Sequence, residues 1–185
     1  ILGKRKLAME SPTYKHAYGI FEKMGFELCT VPVDASGMRV DELTASGADV
    51  AYVMPSHQYP MGVVMPVKRR QELLSWAGRG EKRYLIEDDY DSEFRFVGRP
   101  IPTLFSDDEH QHVIYLNTFS KTIAPSMRVG YMVLPPALAE RFRREVGFYS
   151  CTVPVFEQYV LAELIGSGDF ERHINRIRRK RRRAP

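Results

Sequence analysis

An α/β domain built around a layered sheet is the fold class the sequence predicts, and three observations carry that expectation. Short apolar runs alternate with amphipathic or loop stretches between residues 26 and 134, as strands interleaved with helices do. Prolines stand at the openings of two amphipathic stretches, where a missing N–H does no harm because the first helical turn has no internal acceptor for it. The chain has 185 residues, 44% of them hydrophobic, enough to bury one core.

The elements follow in chain order. Ile1 to Glu10 mixes Lys and Arg with few apolar residues, and no element is predicted there. A helix is predicted over Tyr14–Met24 and a strand over the apolar run Phe26–Val31. Val50–Met54 is the next strand, and Pro66 then introduces a helix over Val67–Ala77. Tyr84–Ile86, Val113–Leu116 and Val129–Leu134 are the remaining strands, and Pro136 opens a helix that runs to Val146. From Pro154 onward the pattern is helical, with Val155, Tyr159, Ala162 and Ile165 on a recurring face. Gly166 to Gly168 is a break, and Asp169 is placed to cap a last helix that runs into a basic tail. Residues 1–150 are read as one partial domain and 151–185 as a helical segment leading out of it, so that the whole reads as a fragment of something longer.

Composition narrows the function classes. The net charge of +4 includes eight bases between Arg172 and Arg183, and removing them leaves the body at −4. A nucleic-acid footprint is a basic face on a folded body, whereas this one is a terminal run. Cys29 and Cys151 lie far apart without metal-ligand spacing and are read as buried small apolar groups in a reducing cytoplasm. No stretch approaches the roughly 18 to 20 apolar residues that a membrane span needs.

Three segments carry chemistry. Tyr115 to Gly130 packs Thr118, Ser120, Lys121 and Arg128 into a connection between two predicted strands. Singly, such residues are turn formers or solvated cations. Ile86 to Phe94 sets Glu87, Asp88, Asp89, Asp91 and Glu93 in a run after an apolar strand, a pattern shared by solvated loops and divalent-metal sites. In an α/β sheet, a carboxylate at the C-terminal end of a strand faces the usual ligand crevice. Pro55-Ser56-His57-Gln58-Tyr59-Pro60-Met61-Gly62 forms a third loop after a strand, and Glu10 to Tyr14 brings an aromatic to the start of the first predicted helix.

The Lys121 segment resembles the Ser-x-Ser-Lys-x-x-x-x-Pro-Gly-x-Arg-x-Gly signature of fold-type I aminotransferases that use pyridoxal 5'-phosphate (PLP). The resemblance implies a three-layer domain with a mostly parallel sheet, of which this chain is the central part of the large domain. It implies that Lys121 forms the cofactor aldimine and that Thr118, Ser120 and Arg128 bind the phosphate. Asp88 takes the pyridinium, with Asp89 as the competing assignment, and Tyr90 bonds the ring hydroxyl oxygen. Tyr14 stacks on the ring. Tyr59 stands where the family has an Asn that bonds the ring oxygen, which leaves Ser56, His57 and Gln58 as alternatives for that donor. No metal is expected.

Within that family, the Pro-Ser-His-Gln-aromatic-Pro-x-Gly loop and the Glu-Asp-Asp-Tyr-Asp-Ser-Glu-Phe run are similar to the MocR subfamily of GntR-type bacterial transcription regulators. There an amino-terminal winged-helix domain is joined to an aminotransferase-like domain that senses PLP and an amino compound. The winged helix, the glycine-rich phosphate loop and the small domain of the subfamily have no counterpart in the chain. DNA contact is therefore expected only through a winged-helix domain absent from this chain, and a homodimer is expected of the intact protein. The resemblance implies a domain that exchanges Lys121 for an amine ligand, with a working aminotransferase as the alternative. A direct nucleic-acid binder through Arg176–Arg183 is a third reading.

Overall fold

The structure, a computed structural model, describes residues 2, 3, 5–91 and 101–182. Among these, one sheet contains β1 (Lys6–Ser11), β2 (Glu27–Asp34), β3 (Gly37–Met38), β4 (Val50–Val53), β5 (Tyr84–Asp88), β6 (Val113–Thr118) and β7 (Gly130–Val133). Its order is β3-β2-β1-β4-β5-β6-β7. The inner pairs β2/β1, β1/β4, β4/β5 and β5/β6 are parallel, and the two edge pairs β2/β3 and β6/β7 are antiparallel. The helices are α1 (Lys15–Lys23), α2 (Val40–Ala45), α3 (Val67–Gly78), α4 (Pro136–Val146), α5 (Val155–Gly166) and α6 (Asp169–Arg182).

Strand periodicity divides the core in two. Leu7 and Met9 of β1 pack on one face with Tyr52, Ile86 and Ile114, whereas Ala8 between them packs on the other with Ala51, Val53, Leu85 and Val113. Ala17, Tyr18 and Phe21 of α1 and Leu138 of α4 cover the first face. Leu43 of α2 and Leu73, Trp76 and Ala77 of α3 cover the second. The result is the expected three-layer domain with a mostly parallel sheet. Because both faces are covered, strands such as Val50-Ala51-Tyr52-Val53 are apolar throughout rather than alternating.

Arg70 of α3 is nearly fully buried and ties the second face to the strand ends. It donates to the carbonyl oxygens of Met65, Pro55 and Pro102 at 3.0, 2.9 and 3.0 Å. Its guanidinium also lies 3.7 Å from Glu87, which is itself fully buried. Glu87 accepts from the backbone N–H groups of Leu104 and Phe105, both at 2.9 Å. Burial nevertheless pushes the Glu87 carboxyl up to about 7.

The predicted strands and the helices over Tyr14–Met24, Val67–Ala77 and Pro136–Val146 are present with small shifts at their ends. Three elements lie where none was predicted: β1, β3 and α2. Asp169 is the first residue of α6 rather than its cap; its N–H donates to Ser167 Oγ at 3.3 Å and its carboxylate accepts from Arg172 at 2.8 Å. The α5 face of Val155, Tyr159 and Ile165 is exposed, and Leu161 is the buried residue of that helix, because α5 packs on α6 rather than on the sheet. Cys29 is half-buried and Cys151 exposed, which corrects the expectation that both are buried.

Candidate functional site

The parallel strands all end on one side of the sheet, and the chemistry-bearing residues collect there. Alternation along β5 separates Glu87 from Asp88, and Asp89 follows just beyond the strand. Glu87 faces α3 and Arg70, Asp88 faces the opposite layer, and Asp89 accepts from Tyr115 Oη at 2.7 Å. Asp88 accepts a hydrogen bond from Tyr52 Oη, a residue of β4 on the same face. Desolvation raises the Asp88 carboxyl above its ordinary range; the Tyr52 hydrogen bond and the charge of Lys121 oppose the rise, and Asp89 and Asp91 add to it. Burial, with the Asp88 charge second, raises the Tyr52 phenol, so Tyr52 stays a donor.

Lys121 is exposed, and its Nζ lies 4.4 Å from the centre of the Tyr90 ring. A cation over an aromatic face is attracted by about 0.5–1 kcal/mol at an exposed site. The Tyr90 ring also stacks on His57 with ring centres 6.1 Å apart, and Tyr90 Oη donates to the His57 carbonyl oxygen at 3.0 Å. His57 Nδ1 lies 2.6 Å from Asp91 Oδ2. His57 and Lys121 thus both meet the Tyr90 ring, and the Lys121 charge acts on Asp88.

A second cluster is built by the bend between β6 and β7. Thr118 Oγ1 lies 3.1 Å from both Ser120 Oγ and the Val129 carbonyl oxygen. Ser120 Oγ donates to the Met127 carbonyl oxygen at 2.7 Å and accepts from Arg128 Nη1 at 3.3 Å. Two hydroxyls and a guanidinium therefore converge, the donor set suited to a phosphate group. The bend is braced from α6: His173 Nε2 lies 3.0 Å from the Thr122 carbonyl oxygen, and Phe170 packs edge-on against Phe119 at 5.8 Å. The basic run that the sequence places at the end of the chain falls on α6, with Arg183 outside the described residues.

The aromatic and loop expectations separate. Tyr14 is 43% exposed and meets the Tyr59 ring edge-on at 5.8 Å, rather than lying in the core. Gln58 is buried and already committed, since Nε2 donates to the carbonyl oxygens of Pro12 and Tyr59 at 2.8 and 2.9 Å. Of the other two alternatives, His57 is paired through Nδ1 with Asp91 and Ser56 is half-buried. Ser92, Glu93 and Phe94 of the acidic run lie outside the described residues, and no grouping of three metal-ligating side chains occurs among the described ones. Tyr52 is the site residue that motif reading missed. Its signal is parity, because in the β4/β5 register Tyr52 pairs with Ile86 and so shares a face with Asp88.

Comparison with known proteins identifies the family. The sequence profile of aminotransferase class I and II matches residues 1–184. Among curated proteins, the chain is 40% identical over 173 residues to the uncharacterized HTH-type transcriptional regulator YdeL of Bacillus subtilis, covering 94% of this chain and 37% of that protein. It is 38% identical over 171 residues to the probable rhizopine catabolism regulatory protein MocR of Rhizobium meliloti, covering 92% of this chain and 34% of that protein. Among solved structures, the Pyrococcus horikoshii kynurenine aminotransferase superposes with a TM-score of 0.84 at 33% identity, over 95% of this chain and 46% of that one. The chain thus spans a little over a third of the curated relatives.

Proposed function

Because the chain belongs to the aminotransferase class I and II family, we propose that it is the PLP-binding, effector-sensing part of a transcription regulator. One observation carries the reading: Asp88, Tyr90 and Lys121 stand together at the strand ends beside the converging Thr118, Ser120 and Arg128. The donor set fits PLP. An acid raised by burial suits a partner that brings a positive charge, and the hydroxyl and guanidinium cluster suits a phosphate. In this reading Thr118, Ser120 and Arg128 bind the phosphate, Tyr14 stacks on the ring and Asp88 holds a proton at the ring nitrogen. Tyr90 turns its hydroxyl from the His57 carbonyl to the ring oxygen, with His57 as the neighbouring donor. Lys121 would hold the cofactor through its amine, the position for which an amino compound would compete. Bound PLP supplies an electron sink at the amine-bearing carbon.

The regulators among the relatives support a sensor, in which the exchange at Lys121 shifts a conformational equilibrium that a DNA-binding domain outside this chain reads. The likeness to an aminotransferase supports a second reading, in which Lys121, once released, moves a proton as general acid and base through repeated turnover. An amino acid or another amine is the ligand in both. The site of the intact protein is completed in a homodimer.

The test is an absorption spectrum with added PLP, followed by borohydride reduction and peptide mapping. A visible band and a phosphopyridoxyl group on the Lys121 peptide are expected. Absence of both in the full-length protein would refute the cofactor reading. A single exchange with an amine supports the sensor, and steady release of keto acid supports the enzyme.

A further inference from the structure

Glu10, the last residue but one of β1, has a fully buried carboxyl that the proposed chemistry leaves unused. Its Oε2 accepts from Gln58 Nε2 at 3.3 Å and from the Met54 N–H at 3.4 Å. Hydrogen bonds to a charged acceptor usually run to about 2.7–2.9 Å, so both are long. Its Oε1 has no hydrogen-bond partner among the described residues. A buried carboxylate served in this way is costly, whereas a neutral acid is tolerated. The ionisable groups whose charges couple to Glu10 are Asp88 of β5, Tyr52 of β4 and Tyr90, each of which gains negative charge on ionising and so opposes its ionisation. Burial accordingly pushes Glu10 up to about 8.

Gln58 is the other half of the arrangement. Its Nε2 reaches the carbonyl oxygens of Pro12 and Tyr59 as well as Glu10, and its Oε1 accepts from the Met61 N–H at 3.1 Å. A single amide thus joins the segment after β1, which leads to Tyr14, to the loop that carries His57 and Tyr59. We propose that Glu10 is a positioning residue: as a neutral acid it seats Gln58, and through Gln58 it fixes the separation of the Tyr14 segment from the His57 loop. The link to ligand binding rests on the cofactor reading above; the clamp itself does not. When Glu10 ionises, its carboxylate accepts more strongly from Gln58 and Met54, but the buried charge at the unpartnered Oε1 draws water to β1, and residues 55–62 loosen around it.

The experiment compares the full-length protein with Glu10→Gln at matched pH values from 7 to 9.5. Hydrogen exchange over residues 55–65 is read without PLP, and PLP affinity is read by absorption. At pH 7 the two proteins exchange within about twofold, since Gln copies the neutral acid. One unit above the Glu10 pKa, the native loop exchanges about tenfold faster than the variant and PLP binds more weakly to the native protein. Gln58→Ala exchanges rapidly at every pH. Identical exchange of native and Glu10→Gln proteins throughout overturns the inference, as does rapid exchange of Glu10→Gln already at pH 7. An exchange difference in proteins that bind no PLP refutes the cofactor reading and leaves the clamp standing. Equal PLP binding without an exchange difference does the reverse.

Discussion

Replacing Arg70 by Met tests how the strand ends are held. The side chain keeps its length and apolar contacts but loses the guanidinium, which contacts three carbonyl oxygens and the buried Glu87. Above about pH 7, where Glu87 is ionised, breaking this buried pair from one side costs about 3–5 kcal/mol, because the remaining charge is left uncompensated. Each carbonyl deprived of its donor adds about 1–3 kcal/mol unless water reaches it, so the lower figure assumes that water does. At about 4 kcal/mol, a domain of this size loses roughly 8–16 °C in Tm. Urea unfolding of both proteins gives the difference directly, with the slope unchanged if both states stay equally compact. Arg70→Met combined with Glu87→Gln should recover about 0.5–3 kcal/mol of the loss, as coupled neighbours do. A single-variant loss below about 1 kcal/mol, the range of exposed pairs, would refute the view of Arg70 as the tie between α3 and the ends of β4 and β5.

Other expectations are more local. Lys121→Ala removes the borohydride-fixed adduct while changing stability by less than about 0.5 kcal/mol, because the side chain is exposed; aggregation or a large Tm drop would contradict this. Arg128→Gln weakens PLP binding by about 10–100-fold in an absorption titration, the equivalent of one charged hydrogen bond of about 1.5–3 kcal/mol. Stability falls as pH rises from 4.5 toward 8, because Glu10 is held above its unfolded value of 4.5 and the folded state binds the extra proton. At about 1.4 kcal/mol per unit the loss is on the order of 5 kcal/mol by pH 8, and it levels off beyond. Denaturant curves across that range should show this slope reduced in Glu10→Gln; an unchanged slope would count against the buried neutral acid.

The fold was legible where burial writes itself into hydropathy. Val50–Val53 and Tyr84–Ile86 are covered on both faces, so their apolar runs marked them as strands without help from alternation. β1 lies inside the sheet yet was missed, because Ala8 and Glu10 are weak strand formers and a basic run precedes them. Its strand character comes from pairing with β2 and β4, which no local pattern records. α2, at six residues, and β3, at two, are too short to show a period. At the site, the motif around Lys121 marked Thr118, Ser120 and Arg128 as neighbours, since all lie within one bend. Tyr52 and Glu10 were hidden because their partners Asp88 and Gln58 are far away in sequence and meet them only across the sheet. The α5 pattern misled in the other direction, because an apolar stripe states that something can cover it without naming the element that does.

The three consecutive acids at the end of β5 and just beyond it divide labour by odd and even position. Glu87 braces α3, Asp88 looks into the crevice and Asp89 turns back to Tyr115. Identity alone cannot keep these duties apart, since the side chains are nearly interchangeable; the pleat does so. A one-residue deletion between Tyr84 and Glu87 would rotate each acid to the opposite side. It would set Glu87 in the place of Ile86 against the apolar layer around Tyr52, present the shorter Asp88 to Arg70, and leave the crevice facing Asp89, a side chain meant for the framework. Along this strand, spacing is under tighter constraint than composition: an exchange of Asp for Glu perturbs one contact, whereas a slipped register loses the brace and the crevice together.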